Sequence, residues 1–262
     1  MNAFIGPCRR VGAIAIVAVL AGCGGSSGAP GTSISGFPAS SVLINLDSAV
    51  PGAIAAASVK RYSVAVTSGA QYVASVTGIS GEADLKLYSD NSFSVSVQVG
   101  CAAPNAGKPA AAPEDCTVTA TSGMLYLTVS NPGAANNDFR VRVAAKNNAA
   151  AASEGTTTAP LALNFGVPHP GSVDALASAA SYYTVTTSGP ARITLTGLQA
   201  TQDVDVSVFS GADFATGAQT CSYAGLAGSA PEECALASGG TWYVQVANRV
   251  AGVGGAYLLS AD

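Results

Sequence analysis

Charge is what this sequence has least of. Asp, Glu, Lys and Arg make up 10% of its 262 residues, against about 25% in ordinary soluble domains. Its 11 basic and 15 acidic residues leave a net charge of −4 with no basic stripe, so the electrostatic footprint of a nucleic-acid binder is missing. A single histidine and no paired Cys-x-x-Cys leave no familiar metal-ligand pattern. No apolar run reaches the roughly 20 residues that a bilayer-spanning helix needs. Beyond the first residues no window carries helical periodicity, which argues against helical and α/β folds. Apolar residues are plentiful, at 48%, enough for a packed core and too many for global disorder.

The first residues read as an address. Arg9-Arg10 precede the uncharged apolar run Val11–Leu20, the layout of a secretory signal peptide. Leu20-Ala21-Gly22-Cys23 follows and resembles the lipobox of bacterial lipoproteins. That resemblance implies diacylation of the Cys23 thiol, cleavage before Cys23 and acylation of the new amino terminus. Two or three acyl chains anchor a protein far more firmly than one. Gly24 follows the cysteine where, in Gram-negative lipoproteins, an Asp would resemble an inner-membrane retention signal, so the outer membrane is favoured. Residues 1–22 are thus expected to be the signal peptide, and 23–41, rich in Gly, Ser and Pro, a flexible tether.

Two stretches about 120 residues apart run in parallel. Val76-Thr77-Gly78-Ile79 pairs with Leu195-Thr196-Gly197-Leu198, and Ala83-Asp84-Leu85-Lys86-Leu87-Tyr88-Ser89 with Val204-Asp205-Val206-Ser207-Val208-Phe209-Ser210. Ala112-Pro113-Glu114-Asp115-Cys116 is matched by Ala230-Pro231-Glu232-Glu233-Cys234, and Tyr126-Leu127-Thr128-Val129-Ser130-Asn131 by Tyr243-Val244-Gln245-Val246-Ala247-Asn248. Matches in the same order indicate a duplicated domain. Apolar residues alternate at Tyr62/Val64/Val66, Leu85/Leu87, Leu125/Leu127/Val129 and, in the second copy, Val204/Val206/Val208 and Trp242/Val244/Val246. Alternation between Gly-, Ser-, Asn- and Pro-rich turns predicts short β-strands. The expected fold is all-β: two tandem antiparallel β-sandwich, jelly-roll-like domains over 42–146 and 161–262, joined by a linker over 147–160.

The order "RYSVAV", "VTGISGEADLKLYSD", a cysteine loop, "LYLTVSN" and a closing strand resembles the bacterial pre-peptidase C-terminal domain. "SYYTVTT", "LTGLQATQDVDVSVFSG", "TWYVQVAN" and "AYLLSAD" fit it equally well. The resemblance implies compact antiparallel β-sandwiches that ride on secreted peptidases as accessory modules, although no peptidase domain is present here. Related sandwich domains of secreted collagenases bind calcium through acids in the preceding linker. Here Gly24–Leu46 carries no acid and only Glu154 precedes the second copy, which departs from that pattern.

Of the six cysteines, Cys8 leaves with the signal peptide and Cys23 goes to lipid. Cys101 and Cys116 in the first copy and Cys221 and Cys234 in the second sit at corresponding positions. Four cysteines allow three connectivities; in an oxidising compartment the duplication favours one disulfide per domain, each closing a loop worth roughly 3 kcal/mol.

Little chemistry is on offer. His169 lies between prolines in a turn, and the Gly-x-Ser-x-Gly string Gly24-Gly25-Ser26-Ser27-Gly28 falls in the Gly- and Ser-rich tether rather than at a strand-to-helix elbow, so no Ser-His-Asp triad is expected. Asp84, Asp203 and Asp205 are the carboxylates to weigh for acid–base work; Asp84 and Asp205, in equivalent strands, read as acids on the polar strand face or bonded to a nearby turn, and are the weak metal candidates, for calcium. Trp242 reads as core, and Tyr223, inside the second cysteine loop, is the weak ligand-binding candidate. The reading is a non-enzymatic, membrane-anchored binding or structural module without a cofactor. Its partner would be an envelope protein or a glycan; a carbohydrate- or matrix-polymer adhesin and an accessory factor acting in trans for a secreted peptidase are the alternatives.

Overall fold

A computed structural model describes residues 41–97, 110–146 and 152–262. The signal peptide, Cys23, nearly all of the tether and Cys101 lie outside the described residues. Among those described, every regular element is a strand and no helix is long and apolar enough to cross a membrane. The fold is all-β, as the alternation predicts.

The first sandwich comprises β1 (Val42–Ile44), β2 (Val50–Ile54), β3 (Ser58–Ala65), β4 (Gln71–Thr77), β5 (Asp84–Tyr88), β6 (Glu114–Thr119), β7 (Met124–Asn131) and β8 (Asn137–Ala145). The second comprises β9 (Leu161–Ala162), β10 (His169–Val173), β11 (Ala180–Thr187), β12 (Ala191–Thr196), β13 (Val204–Phe209), β14 (Glu232–Leu236), β15 (Gly240–Asn248) and β16 (Gly255–Ala261). The sheets run β1-β3-β7-β5 and β2-β8-β4-β6, then β9-β11-β15-β13 and β10-β16-β12-β14. Adding eight to each strand of the first sandwich generates the second, so the repeat in sequence is a repeat in topology. One detail departs from an all-antiparallel expectation: β1 runs parallel to β3, and β9 to β11. In each case the intervening strand crosses to the other sheet, so the chain re-enters the first sheet in its original direction.

Each sandwich buries its own core between its two sheets. Tyr62, Val64, Leu87, Leu127 and Val141 are at most 3% exposed in the first; Tyr183, Val206, Val244 and Leu259 are at most 1% exposed in the second. At about 1.5–3 kcal/mol for each large apolar side chain buried, these layers dominate the favourable side of folding. Trp242 lies in the second core.

Alternation fails in β4, β12 and β16, where nearly every residue on both faces is buried. The cause is a second layer of packing: the outer face of the β2-β8-β4-β6 sheet lies against that of β10-β16-β12-β14. Its apolar centre is Val73, Ala144 and Leu258. Around it the contact is polar and reciprocal. The Gly197 N–H donates to Asp115 Oδ2 at 2.5 Å, and the Gly78 N–H donates to Glu233 Oε2 at 2.6 Å. Asp115 and Glu233 are equivalent in the repeat, as are Gly78 and Gly197, so each copy presents one carboxylate and one glycine to the other. Such self-complementary exchange is the signature of an isologous interface, here within one chain. Arg192 pairs with Glu233 and Arg142 with Asp262, and Lys146 Nζ donates to the Gly197 carbonyl at 2.5 Å. Both sandwiches belong to one structural unit, Gly36–Asp262.

Part of the stretch expected to be a linker is also engaged. The Glu154 N–H donates to Ser181 Oγ at 2.9 Å and the Tyr182 N–H to the Glu154 carbonyl at 2.8 Å. Residues 152–154 therefore run along the second sandwich.

The two glycines of the contact sit at φ of 61° and 75°, where a side chain costs about 1–2 kcal/mol. A Cβ on Gly197 would lie 2.7 Å from Val73 Cγ2, whereas one on Gly78 would meet the flexible Arg192 at 3.1 Å. Gly197→Ala should therefore cost about 2–4 kcal/mol, backbone and overpacking together, and Gly78→Ala only the backbone share. Denaturant titrations rank the two; equal losses would contradict this packing.

Candidate functional site

The repeated Ala-Pro-Glu-acid-Cys segment is structural at three successive residues. Its first acid turns inward: Glu114 Oε2 accepts the Leu85 N–H at 2.8 Å, and Glu232 Oε2 accepts the equivalent Val206 N–H at 2.7 Å. Its second acid crosses to the other sandwich, as described. Its cysteine is disulfide-bonded in both copies: Cys221 with Cys234, and Cys116 with a partner outside the described residues, where the expected Cys101 lies. Glu232 is 0% exposed, and burial pushes its carboxyl up to about 8 against the opposing N–H donors of Val206 and Leu226. A carboxyl so displaced often marks catalysis. Here Val206 occupies one oxygen and Leu226, at 2.7 Å, the other, so Glu232 is a latch between β13 and the disulfide loop.

The other singled-out residues are dispersed. Asp205 pairs with Arg249, and Asp203 accepts the Gly228 N–H at 3.0 Å. Burial raises the Asp84 carboxyl, with Lys86 opposing. Among the described residues no three His, Cys, Asp or Glu side chains gather as a metal site. His169 Nε2 lies 2.6 Å from Glu154 Oε2, which also accepts the Tyr183 hydroxyl at 3.1 Å; Tyr183 in turn is 2.7 Å from the Tyr257 hydroxyl. This chain of polar groups fastens the preceding segment to the core. The Ser172 and Ser181 hydroxyls donate to backbone carbonyls of Ala152 and Ser172, so neither serves His169 as a nucleophile. Tyr223 is half-buried, and its carbonyl accepts the Glu233 N–H at 3.0 Å. No described aromatic ring stacks on it, so it forms no platform.

Two features emerge that sequence reasoning passed over. The first is a cleft of about 770 Å³ at the junction of the sandwiches, lined by Gln71, Thr117, Thr119, Lys146, Gln199 and Ser229 among others. Lys146, at the edge of the predicted linker, is 8% exposed. Burial lowers its pKa, with Asp115 opposing. An ammonium offers three donors, and among the described residues Lys146 Nζ makes one hydrogen bond, to Gly197. No sequence signal distinguishes this lysine, because its importance comes from a neighbour 51 residues away.

The second is an aromatic cluster on the outer face of each sandwich. In the second copy Phe214 contacts Tyr182, Phe209 and Tyr243 with ring centroids 4.9, 6.3 and 5.6 Å away. In the first copy Phe93 contacts Tyr88 and Tyr126 at 5.5 and 5.8 Å, and Arg61 lies 5.3 Å from its ring centroid. Both phenylalanines adopt left-handed backbone, at φ of 57° and 52°. Nearby aspartates hold both turns. Asp213 accepts the Thr216 hydroxyl and the N–H groups of Thr216 and Ala215, which hold its carboxyl down to about 2. The Ser92 hydroxyl, the Val95 N–H and the Ser94 hydroxyl and N–H likewise hold the Asp90 carboxyl well below the usual carboxylate range.

No protein-family model matches the chain, and no curated protein is similar to it. Among solved structures it is similar to the CUB1-EGF-CUB2 domain of human MASP-1/3, at 8% identity over 81% of this chain and 99% of that one, with a TM-score of 0.26. A likeness at that level carries no argument about what this chain does.

The Glu232 latch has a pH signature. A carboxyl raised from 4.5 to about 8 keeps its proton in the folded chain where the unfolded chain has released it. Its stabilisation is complete below the unfolded value and is lost as pH rises through the folded one. Stability should therefore fall between about pH 4.5 and 8, and Glu232→Gln, weaker throughout because an amide NH₂ faces a backbone donor, should lack that slope. Urea titrations across this range check it; an unchanged slope in the variant would contradict the assignment.

Proposed function

We propose that this chain is a lipid-anchored, non-enzymatic binding module of the cell envelope, made of two fused β-sandwiches that resemble pre-peptidase C-terminal domains. The lipobox-like Leu20-Ala21-Gly22-Cys23 and the tether to residue 41 supply the anchoring, with Gly24 favouring the outer membrane. One observation carries the binding role: the Lys146 ammonium is nearly buried, has a single described acceptor and lines an open cleft rich in hydroxyls and amides. A charge held out of water, with donors unused among the described residues, gains most from a ligand that brings acceptors. The cleft has the size of a ligand site, about 300–1,000 Å³, and the Asp115 carboxylate beside Lys146 keeps its local charge near balance. An uncharged, oxygen-rich segment of an envelope protein or glycan fits that chemistry. The displaced acid elsewhere, Glu232, has both oxygens committed to the backbone, which supports a binding role over catalysis.

The test is a quantitative pulldown from envelope extract with the Cys23→Ser chain, its Lys146→Met form and its Thr119→Val form, alongside an unrelated lipoprotein. A specifically enriched species that falls about tenfold or more with Lys146→Met, roughly the worth of one charged hydrogen bond, supports the cleft. Thr119 is exposed on the rim, so Thr119→Val should weaken capture without changing stability. No enrichment, or enrichment indifferent to both changes, overturns the reading.

A further inference from the structure

The outer faces of the two sandwiches are equivalent in position but not in chemistry, and the difference is informative. In the first copy the strand face of β3, β5 and β7 presents Arg61, Lys86 and Met124. The repeat-equivalent positions in the second copy are Tyr182, Ser207 and Thr241. Every charge at these positions has become a hydroxyl or a ring, while the aromatic cluster has been kept. We propose that the outer face of the β9-β11-β15-β13 sheet is a platform for an uncharged polysaccharide. This goes beyond the binding-module reading and uses a surface distinct from the Lys146 cleft.

Side-chain alternation aims these groups outward. Tyr183, Val206 and Val244 fill the core, so Tyr182, Thr184, Ser207, Phe209, Tyr243 and Gln245 project from the other face, and all six are half-buried. The registers arrange them in two adjacent cross-strand rows: Thr184 beside Tyr243 beside Phe209, and Tyr182 beside Gln245 beside Ser207. With strands about 4.8 Å apart, each row spans about 10 Å, room for a short run of sugar rings. Phe214, itself buried on this face, packs edge-on against Tyr182, Phe209 and Tyr243 at interplanar angles of 79°, 69° and 76°, so it fixes their orientation and covers part of each ring, leaving all three half-exposed.

Two chemistries on one face decide the occupant. A sugar ring has an apolar face of C–H bonds and a rim of hydroxyls that both donate and accept. Tyrosine and phenylalanine offer apolar area with specific geometry, and Ser, Thr and Gln offer donors and acceptors together. In the sheet Asp205 is paired with Arg249, and in the turn beside Phe214 the Asp213 carboxylate is taken up by the Thr216 hydroxyl and the Ala215 and Thr216 N–H groups, so neither acid recruits a cationic ligand. A protein-docking face would carry a larger apolar centre and more arginine.

The test is native affinity electrophoresis of the Cys23→Ser chain through gels containing soluble xylan, β-1,3-glucan, amylose or dextran, with alginate as the anionic control. Retardation by at least one neutral polymer and none by alginate is expected. Tyr182→Ala and Tyr243→Ala should each weaken it about tenfold. Gln245→Ala, which removes the 3.3 Å donation from Gln245 Nε2 to the Tyr182 hydroxyl but none of the ring contacts, should also weaken it, whereas Lys146→Met should leave it intact. Absence of retardation by every neutral polymer overturns the proposal, as does retardation indifferent to Tyr182→Ala and Tyr243→Ala. Retardation abolished by Lys146→Met alone would move the glycan to the cleft, overturning this platform while leaving the binding-module reading standing.

Discussion

Two carboxylates, each reaching across to a glycine N–H of the other repeat, hold this molecule in its arrangement. Asp115 meets Gly197 and Glu233 meets Gly78. Both glycines stand in left-handed turns and neither carries a Cβ that would block the approach. Because the acids follow a latching glutamate and precede a disulfide-bonded cysteine, three neighbouring residues fix the sandwich core, the junction and the cysteine loop at once. The conservation of that segment between the two copies follows from this triple use.

The junction also decides which surfaces remain for other work. Packing the sheets of β4 and β12 together buries Ser75, Thr77, Thr194 and Thr196 and directs the other two sheets outward. Once two equivalent halves are joined, only their outer faces and the rim of the junction can diverge without loosening the contact. Divergence is seen there: Arg61 and Lys86 in one copy correspond in the repeat to Tyr182 and Ser207 in the other. The Lys146 cleft is part of the same junction, so its geometry depends on the clamp that also receives the lysine's hydrogen bond.

Much of the architecture was legible in the amino-acid order. Period-two alternation located the strands, the matched segments revealed the duplication, and corresponding cysteines pointed to the Cys221–Cys234 bond. Trp242, alternating with Val244, was correctly placed in the core. The junction was not legible, since polar residues such as Ser75 and Thr194 read as a solvent face until a second sheet covers them. Lys146 was hidden for a similar reason: its partner Gly197 belongs to the other copy. His169 reads as a turn residue between prolines, but its bond to Glu154 depends on a segment that composition marks only as a linker. The aromatic clusters leave no periodic signal in the sequence, because Phe93 and Phe214 sit in turns, outside any alternating strand.

If the reciprocal clamp makes one cooperative body of two sandwiches, calorimetry reads it directly. The intact chain should unfold in a single transition, with calorimetric and van't Hoff enthalpies in agreement. Asp115→Ala combined with Glu233→Ala should split that transition into two, one for each sandwich core. Two transitions already present in the unaltered chain, or a single one that survives the double substitution, would contradict the clamp as the organising contact.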